Sequence, residues 1–269
     1  MKSVVISGYS GGMGQESAKK FSQNGYFVFG LDIKEPKVIL ENTKFIKTDL
    51  RDMDSLKKAF DIVSKETNEL DLIINMAGIY DFNSLIEMSE EEFMRIFDIN
   101  VFSIYRMNKT FLPLLKKKGK IIIVSSELAP LDPLPFTGIY AMTKTTIEKY
   151  AYSLRMELQL LDYQVSVIRP GAVDTTLLDV STNRVDHFTE STELYKDSSQ
   201  RFKRVINTVE ARKIPPMKIA NLAYKIANKK KPRYIYKINR NPLLLMLNIL
   251  PDRLQNYIIR KILTKKHKA

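Results

Sequence analysis

Tyr140 and Lys144 stand four residues apart in the segment YAMTK, an interval that puts both side chains on one face of a helix. An ammonium beside a phenol favours the phenolate. A free tyrosine titrates near about pH 10, so such a neighbour is what lets it exchange protons near neutrality, as general acid for a carbonyl or base for an alcohol. As an isolated pair the two read first as an amphipathic helix surface. The second candidate is the opening run VVISGYSGGMGQESAKKF, an apolar stretch, a glycine cluster and a helix-like pattern. Gly8, Gly12 and Gly14 can let the backbone turn tightly and approach a pyrophosphate at a helix N-terminus; a plain glycine turn is the alternative. Asp32 closes the next apolar run. A carboxylate there accepts ribose hydroxyls and repels a 2′-phosphate, which favours NAD, while Lys34 two residues on keeps NADP open. An exposed acid at a strand end is the other reading of Asp32. Asn100, in the middle of a helical pattern, is locally unfavourable and marks either a role or a tolerated exposed polar residue.

The elements that must position these residues alternate. SVVIS, YFVFGLD, TKFIKTDL, LDLIINMAG, KIIIVSS, YQVSVIRPG and RYIYK read as seven strands, mostly apolar on both faces, as in a parallel sheet covered by helices. Helical periodicity is predicted over Met53 to Glu69, over Glu90 to Lys118 with Ser89 and Glu92 as a capping box, over Tyr140 to Leu161, and from Pro215-Pro216 to about Asn228. Strand and helix in repeated alternation predict an α/β fold, a Rossmann-type doubly wound seven-stranded parallel sheet with helices on both faces. Ligands then sit at the carboxyl ends of the strands, where the residues above fall. The expected division is a dinucleotide-binding domain over 1–240 and a basic amphipathic extension over 241–269.

The order of these motifs resembles the short-chain dehydrogenase/reductase family, classical type, across most of the chain. Ser7-Gly8 with Gly12 and Gly14 is similar to its TGxxxGxG; NMAG at Asn75–Gly78 is similar to NNAG, with Met76 replacing an asparagine and removing one polar contact; YAMTK is similar to YxxxK; RPGAVDT, from Arg169 to Thr175, is similar to PGxVxT. The resemblance implies that Tyr140 is the general acid or base, with Lys144 beside it. It further implies that Ser126 donates a hydrogen bond to the substrate oxygen and that Asn100 holds a relay water. It carries cofactor binding onto Gly8, Gly12, Met13, Gly14, Asp32, Asp49, Leu50, Asn75, Ala77, Gly78, Tyr140, Lys144, Pro170, Val173 and Thr175, with Asp49 beside the adenine and Thr175 on the nicotinamide carboxamide. The loop from Ser126 to Tyr140 is one residue longer than the family's; Ser125 is the weaker candidate for the catalytic serine. Segment 176–212, polar and without clear periodicity, is expected to be the substrate loop or lid. Leu128, Leu131, Leu134, Pro135 and Phe136 are expected to line an apolar pocket, and this region looks most like the steroid and retinol dehydrogenase branch. The implied activity is hydride transfer between NAD and a small hydrophobic alcohol or ketone, in a homodimer or homotetramer. An NADPH-dependent ketoacyl-type reductase and a non-catalytic dinucleotide sensor are the alternatives; four catalytic side chains are superfluous in a sensor.

Composition narrows the rest. The chain lacks cysteine and holds only His187 and His267, which excludes thiolate chemistry and makes a metal site unexpected. The first strand begins at Ser3, so no signal peptide and a cytoplasmic location are expected. Net charge is +13, but from Ala211 onward sixteen Lys and Arg face one acid, Asp252, while the other 210 residues carry −2. A nearly neutral body argues against a nucleic-acid partner. In the tail, Leu243 to Leu250 is too short to span a bilayer and Pro251 interrupts it. Beyond it Leu254, Tyr257, Ile258, Ile262 and Leu263 share a helical face. That face predicts either packing on the domain or weak peripheral contact with an anionic membrane.

Overall fold

Each strand forms where β-branched and aromatic residues cluster, and in the computed structural model all seven pair in parallel. The structure describes residues 1–210 and 212–264, without the side chains of 176–183 and 209–210. The strands are β1 (Lys2–Ser7), β2 (Tyr26–Asp32), β3 (Thr43–Lys47), β4 (Leu70–Asn75), β5 (Leu115–Val124), β6 (Gln164–Pro170) and β7 (Ile235–Ile238), in the order β3-β2-β1-β4-β5-β6-β7. The expected doubly wound sheet is therefore the fold. The strand order reverses between β1 and β4, which leaves a crevice at their carboxyl ends. There Ser7 pairs with Asn75, and Ser7 Oγ accepts hydrogen bonds from the Met76 and Ala77 amides at 3.2 and 3.3 Å.

Both faces of the sheet are buried. Val5, Ile73 and Ile121 pack under α2 (Met53–Glu66), α4 (Ser103–Phe111) and α5 (Gly138–Leu158), while Val4, Ile6 and Ile74 pack under α1 (Gly12–Ser22) and α8 (Met217–Ala227). Burying such a side chain stabilises the fold by roughly 1.5–3 kcal/mol, so a polar replacement in β1 opposes the fold on whichever face it lands. Helix starts follow their caps: Asp52 accepts from Asp54 N ahead of α2, and Ser89 from Glu92 N ahead of α3 (Glu90–Phe97). Glu92 does not complete the expected capping box; its carboxylate takes Asn83 Nδ2 at 2.9 Å.

Three expectations are corrected. The predicted long helix to Lys118 widens into a π-helical turn at Asp98–Phe102, resumes as α4, and ends at Phe111. Pro113 sits in a short 3₁₀ turn, β5 begins at Leu115, and Lys116–Gly119 bulge out where Leu70 pairs with Leu115 and Leu72 with Lys120. Segment 176–212 is no irregular loop but α6 (Thr176–Ser191) and α7 (Lys196–Glu210). Their apolar stripe, Val185 and Phe188, then Phe202 and Ile206, is buried but diluted by polar neighbours in sequence. Residue 211 and the side chains of 176–183 lie outside the described residues. The tail forms α9 (Pro242–Leu247) and α10 (Asp252–Thr264). The predicted α10 face is split, with Leu263 buried against α7 and Ile258 half-buried, whereas Leu254, Tyr257 and Ile262 are exposed, so domain packing holds for part of that face. The last five residues, 265–269, lie outside the described residues. Among the described residues no helix is long and apolar enough to cross a membrane.

Candidate active site

The glycine turn follows β1 directly and leaves no room for side chains. Gly8 has φ +70°, and a Cβ there would lie 2.8 Å from Ala77 N; one on Gly14 would lie 2.1 Å from Gly8 O. Gly12 stands against Thr175, whose Cγ2 would be 2.9 Å from an added Cβ. Helix α1 begins here without a side-chain cap and without an acid in its first turn, so its amide donors and positive dipole end face outward. In front of it runs a trench of about 470 Å³ whose walls include Asp32, Asp49, Leu50, Ala77 and Gly78. Asp32 is fixed by the backbone: Oδ2 accepts from Ser10 N at 3.0 Å and Oδ1 from Lys34 N at 3.1 Å. Arg51 chelates Asp49 at 2.7 and 3.0 Å, and that hydrogen-bonded guanidinium holds the Asp49 carboxyl below its usual range. Asn75 donates Nδ2 to Asn108 Oδ1 at 2.8 Å, and its buried Oδ1 has no protein partner. Turn, uncapped helix and orphaned amide oxygen fit a dinucleotide.

Met13, Met76, Gly78 and Thr175 line both this trench and a smaller cavity of about 110 Å³, so the two adjoin. Around the cavity stand Ser126, Tyr140 and Lys144, with Pro170 and Val173 completing the wall. Helix α5 presents Tyr140 and Lys144 as expected: the ammonium lies 5.4 Å from the phenol ring centroid and donates to Val124 O at 3.4 Å. Burial pushes Lys144 down to about 8, partly opposed by Glu148 one turn on. This pair is no exposed helix surface, because Lys144 is 5% exposed. Ser126 Oγ accepts from Leu128 N at 3.1 Å, which leaves its hydroxyl proton available to a ligand. Ser125 Oγ turns to Lys144 O at 3.5 Å. Asn100 is fully buried in the π-helical turn. Its Oδ1 accepts from Ile79 N at 2.8 Å, and Nδ2 donates to Ile79 O at 2.9 Å and Thr143 Oγ1 at 3.1 Å. It clamps the loop after β4 to α5, and the exposed-surface reading of it falls away. Met76, the departure from the family motif, fills apolar space and takes a contact from Ser17 Oγ at 3.5 Å.

The expected apolar wall is divided. Leu128 lines the catalytic cavity; Leu134 and Pro135 line a second, apolar chamber of about 460 Å³; Phe136, at φ 68°, packs on Phe188, Tyr195 and Phe202; Leu131 is in neither cavity. Several contributors carried no motif. Tyr80 lays its ring on Tyr140, centroids 4.4 Å apart. Buried Asp81 receives Arg184 of α6 at 2.6 Å and Arg95 at 3.4 Å, which opposes the upward push of burial on its carboxyl. Glu127 and Leu244 complete the cavity wall, and Leu244 also lines the apolar chamber. The only sequence signal for Glu127 was a charged residue directly after a buried strand; Leu244 and Asp81 had none.

A trench for a dinucleotide that adjoins a tyrosine, lysine and serine defines a class of nicotinamide-dependent oxidoreductase. The family model for short chain dehydrogenase matches residues 2–185, and the chain belongs to this family as an NAD(P)-dependent oxidoreductase. It is 28% identical over 264 residues to 3-ketodihydrosphingosine reductase of Bacteroides thetaiotaomicron, covering 96% of each chain. It is 25% identical over 281 residues to NADPH-dependent 3-dehydrocapnine reductase of Ornithobacterium rhinotracheale, covering 98% of each. A short chain dehydrogenase family protein from Francisella tularensis shares the fold at a TM-score of 0.74 and 24% identity, over 88% of this chain and 97% of that one.

Proposed function

We propose that the chain reduces a lipophilic ketone, with Tyr140 delivering the proton. The carrying observation is that Ser126, Tyr140 and Lys144 line one cavity that shares its wall with the nucleotide trench. A bound reduced nicotinamide supplies the hydride. Gly8, Gly12, Met13 and Gly14 would hold its pyrophosphate, Asp49 and Leu50 its adenine, and Asn75, Ala77, Pro170, Val173 and Thr175 its nicotinamide end. Ser126, already accepting from Leu128 N, donates its proton to the substrate oxygen and stabilises charge developing there. Tyr140 donates to the same oxygen, and the buried Lys144 ammonium makes the phenolate left behind less costly. Asn100, clamped to Ile79 and Thr143, seats the water that returns a proton to Tyr140. Lipophilicity rests on the chamber behind Leu244, walled by Leu134, Leu243, Leu247 and Ile262. The names of the two relatives support the reductive direction.

Asp32 favours NADH. A second reading, NADPH, is supported by Lys34 and Arg51 in the same trench wall and by the name of one relative. Titrating both cofactors into wild type and Asp32→Ala separates them: the first reading expects NADH to bind more tightly and to lose that preference in the variant. Activity is tested with aliphatic ketones of increasing length, a steroid ketone and a ketoacyl thioester, following oxidation of the reduced cofactor. The long aliphatic ketone is expected to give the highest kcat/KM, and absence of turnover with every carbonyl sinks the proposal. Assembly as a homodimer or homotetramer is supported by Tyr105 on α4 and by Tyr152 and Met156 on α5, all exposed apolar side chains. Peripheral membrane contact is supported by Leu243, Met246 and Ile249, exposed at three-residue intervals beside Arg253. Met246→Glu with Ile249→Glu is expected to weaken co-sedimentation with anionic vesicles, and unchanged co-sedimentation removes that contact.

A further inference from the structure

Among the described residues Glu127 is the one carboxylate in the wall of the catalytic cavity, and it directly follows Ser126. It is 8% exposed. Its Oε2 accepts from Asn241 N at 2.6 Å, while Oε1 lies toward Gly171, where an added Cβ would come within 2.8 Å of it. Among the described residues no lysine, arginine or histidine makes a salt bridge with it. Burial pushes its carboxyl up, opposed by the Asn241 amide and by the more distant Arg240. A carboxylate taken out of water is costly unless a cation meets it, and this one borders the space a substrate must occupy. Leu244 lines both this cavity and the apolar chamber.

We infer that the substrate is a long-chain amino ketone, its ammonium received by Glu127 and its alkyl chain passing Leu244 into the chamber. This deepens the proposal of carbonyl reduction and rests on it. The carbonyl oxygen must lie between Ser126 and Tyr140 for proton transfer, and Glu127 is the neighbour of Ser126 in sequence and in the cavity. The amine therefore stands close to the carbonyl carbon, on the carbon next to it or one further. The alkyl chain then runs along Leu244, which borders the chamber. The close cation that Glu127 lacks among the described residues is then supplied by the ligand, and the carboxylate also orients the ketone for attack on one face. Asn241, which donates its amide to the same carboxylate, caps α9 and so places Leu244; ammonium site and chain passage are joined through one residue pair.

The test is a binding comparison that does not depend on turnover. A long-chain 2-amino alcohol and the matching alcohol without the amine are titrated calorimetrically into the full chain saturated with oxidised cofactor. A charge-assisted hydrogen bond predicts that the amino alcohol binds about tenfold to a hundredfold more tightly. Glu127→Gln keeps an oxygen to accept from Asn241 N but removes the charge, and the affinity ratio is expected to fall close to one; Glu127→Asp is expected to keep part of it. Equal affinities in wild type overturn the inference without any variant. So does a Glu127→Gln protein that binds both ligands more weakly by the same factor, since Glu127 is then only a tether for α9. Turnover of both ketones with equal kcat/KM leaves the reduction reading intact and overturns the ammonium site. Selective binding of the amine without turnover of either ketone supports the site and overturns the reduction reading.

Discussion

The trench around β1 and the cavity wall contributed by the later helices are built on different principles. The first is made by backbone: two glycines with no space for Cβ, an uncapped helix, and a carboxylate held by two main-chain amides. The second is made largely by side chains far apart in sequence, among them Tyr80, Ser126, Glu127, Tyr140, Lys144 and Leu244. A backbone site serves one ligand, while a side-chain wall can change its ligand by substitution; the chemistry of Tyr140 and Lys144 lies where they meet.

That contrast breaks first at Ser126. Short of removing the phenol itself, Ser126→Ala is expected to have the largest effect, lowering kcat by about 10²–10³-fold with cofactor affinity unchanged in equilibrium titration. A parallel loss of cofactor affinity contradicts the separation of the two regions. Lys144 gives a signed pH prediction. Its burial-lowered value of about 8 means that the ammonium supporting the phenolate is present below that pH and lost above it, so kcat/KM for reduction falls as pH rises through about 8. Lys144→Arg, charged throughout, is expected to lose that basic limb. Stability runs the other way, because the unfolded lysine binds its proton up to 10.5 and unfolding becomes less favourable as pH rises from about 8 toward that value. Gly14→Ala, which drives a Cβ into Gly8 O, is expected to cost about 1–3 kcal/mol in denaturant melts and to weaken dinucleotide binding. The smallest effect belongs to the Asp81–Arg184 bridge, whose arginine stands in the trench wall: a double-mutant cycle on cofactor affinity is expected to show coupling of about 0.5–3 kcal/mol.

Much of the trench was legible in sequence because its signals are local. Gly8, Gly12 and Gly14 lie within one turn, Asp32 ends a strand that is apolar throughout, and Tyr140 and Lys144 share a helix face. The doubly wound sheet followed from strand and helix in alternation. Helix ends were less legible: apolar spacing at Leu112, Leu114 and Leu115 suits a helix as well as a strand, and Pro113 with the left-handed Lys118 decides it. Segment 176–212 looked aperiodic because its buried apolar side chains among the described residues, such as Val185, Phe202 and Ile206, are separated by polar ones, and their burial depends on partners such as Phe82 and Leu263 from elsewhere in the chain. Tyr80, Glu127 and Leu244 carry no motif; only the folding of β4, β5 and α9 toward one point gives them a shared surface. Asn100 shows the intermediate case. Its unfavourable position in a helix marked it as unusual, but its bonds to Ile79 and Thr143 needed the structure.

The most direct measurement is single-turnover reduction of a long aliphatic ketone by wild type and Tyr140→Phe, each pre-loaded with reduced cofactor. If Tyr140 delivers the proton, the hydride-transfer rate falls by about 10²–10⁴-fold in the variant while the affinity for the cofactor is retained. A Tyr140→Phe protein that reduces the ketone at the wild-type rate contradicts that role and, with it, the account of this cavity as the site of chemistry.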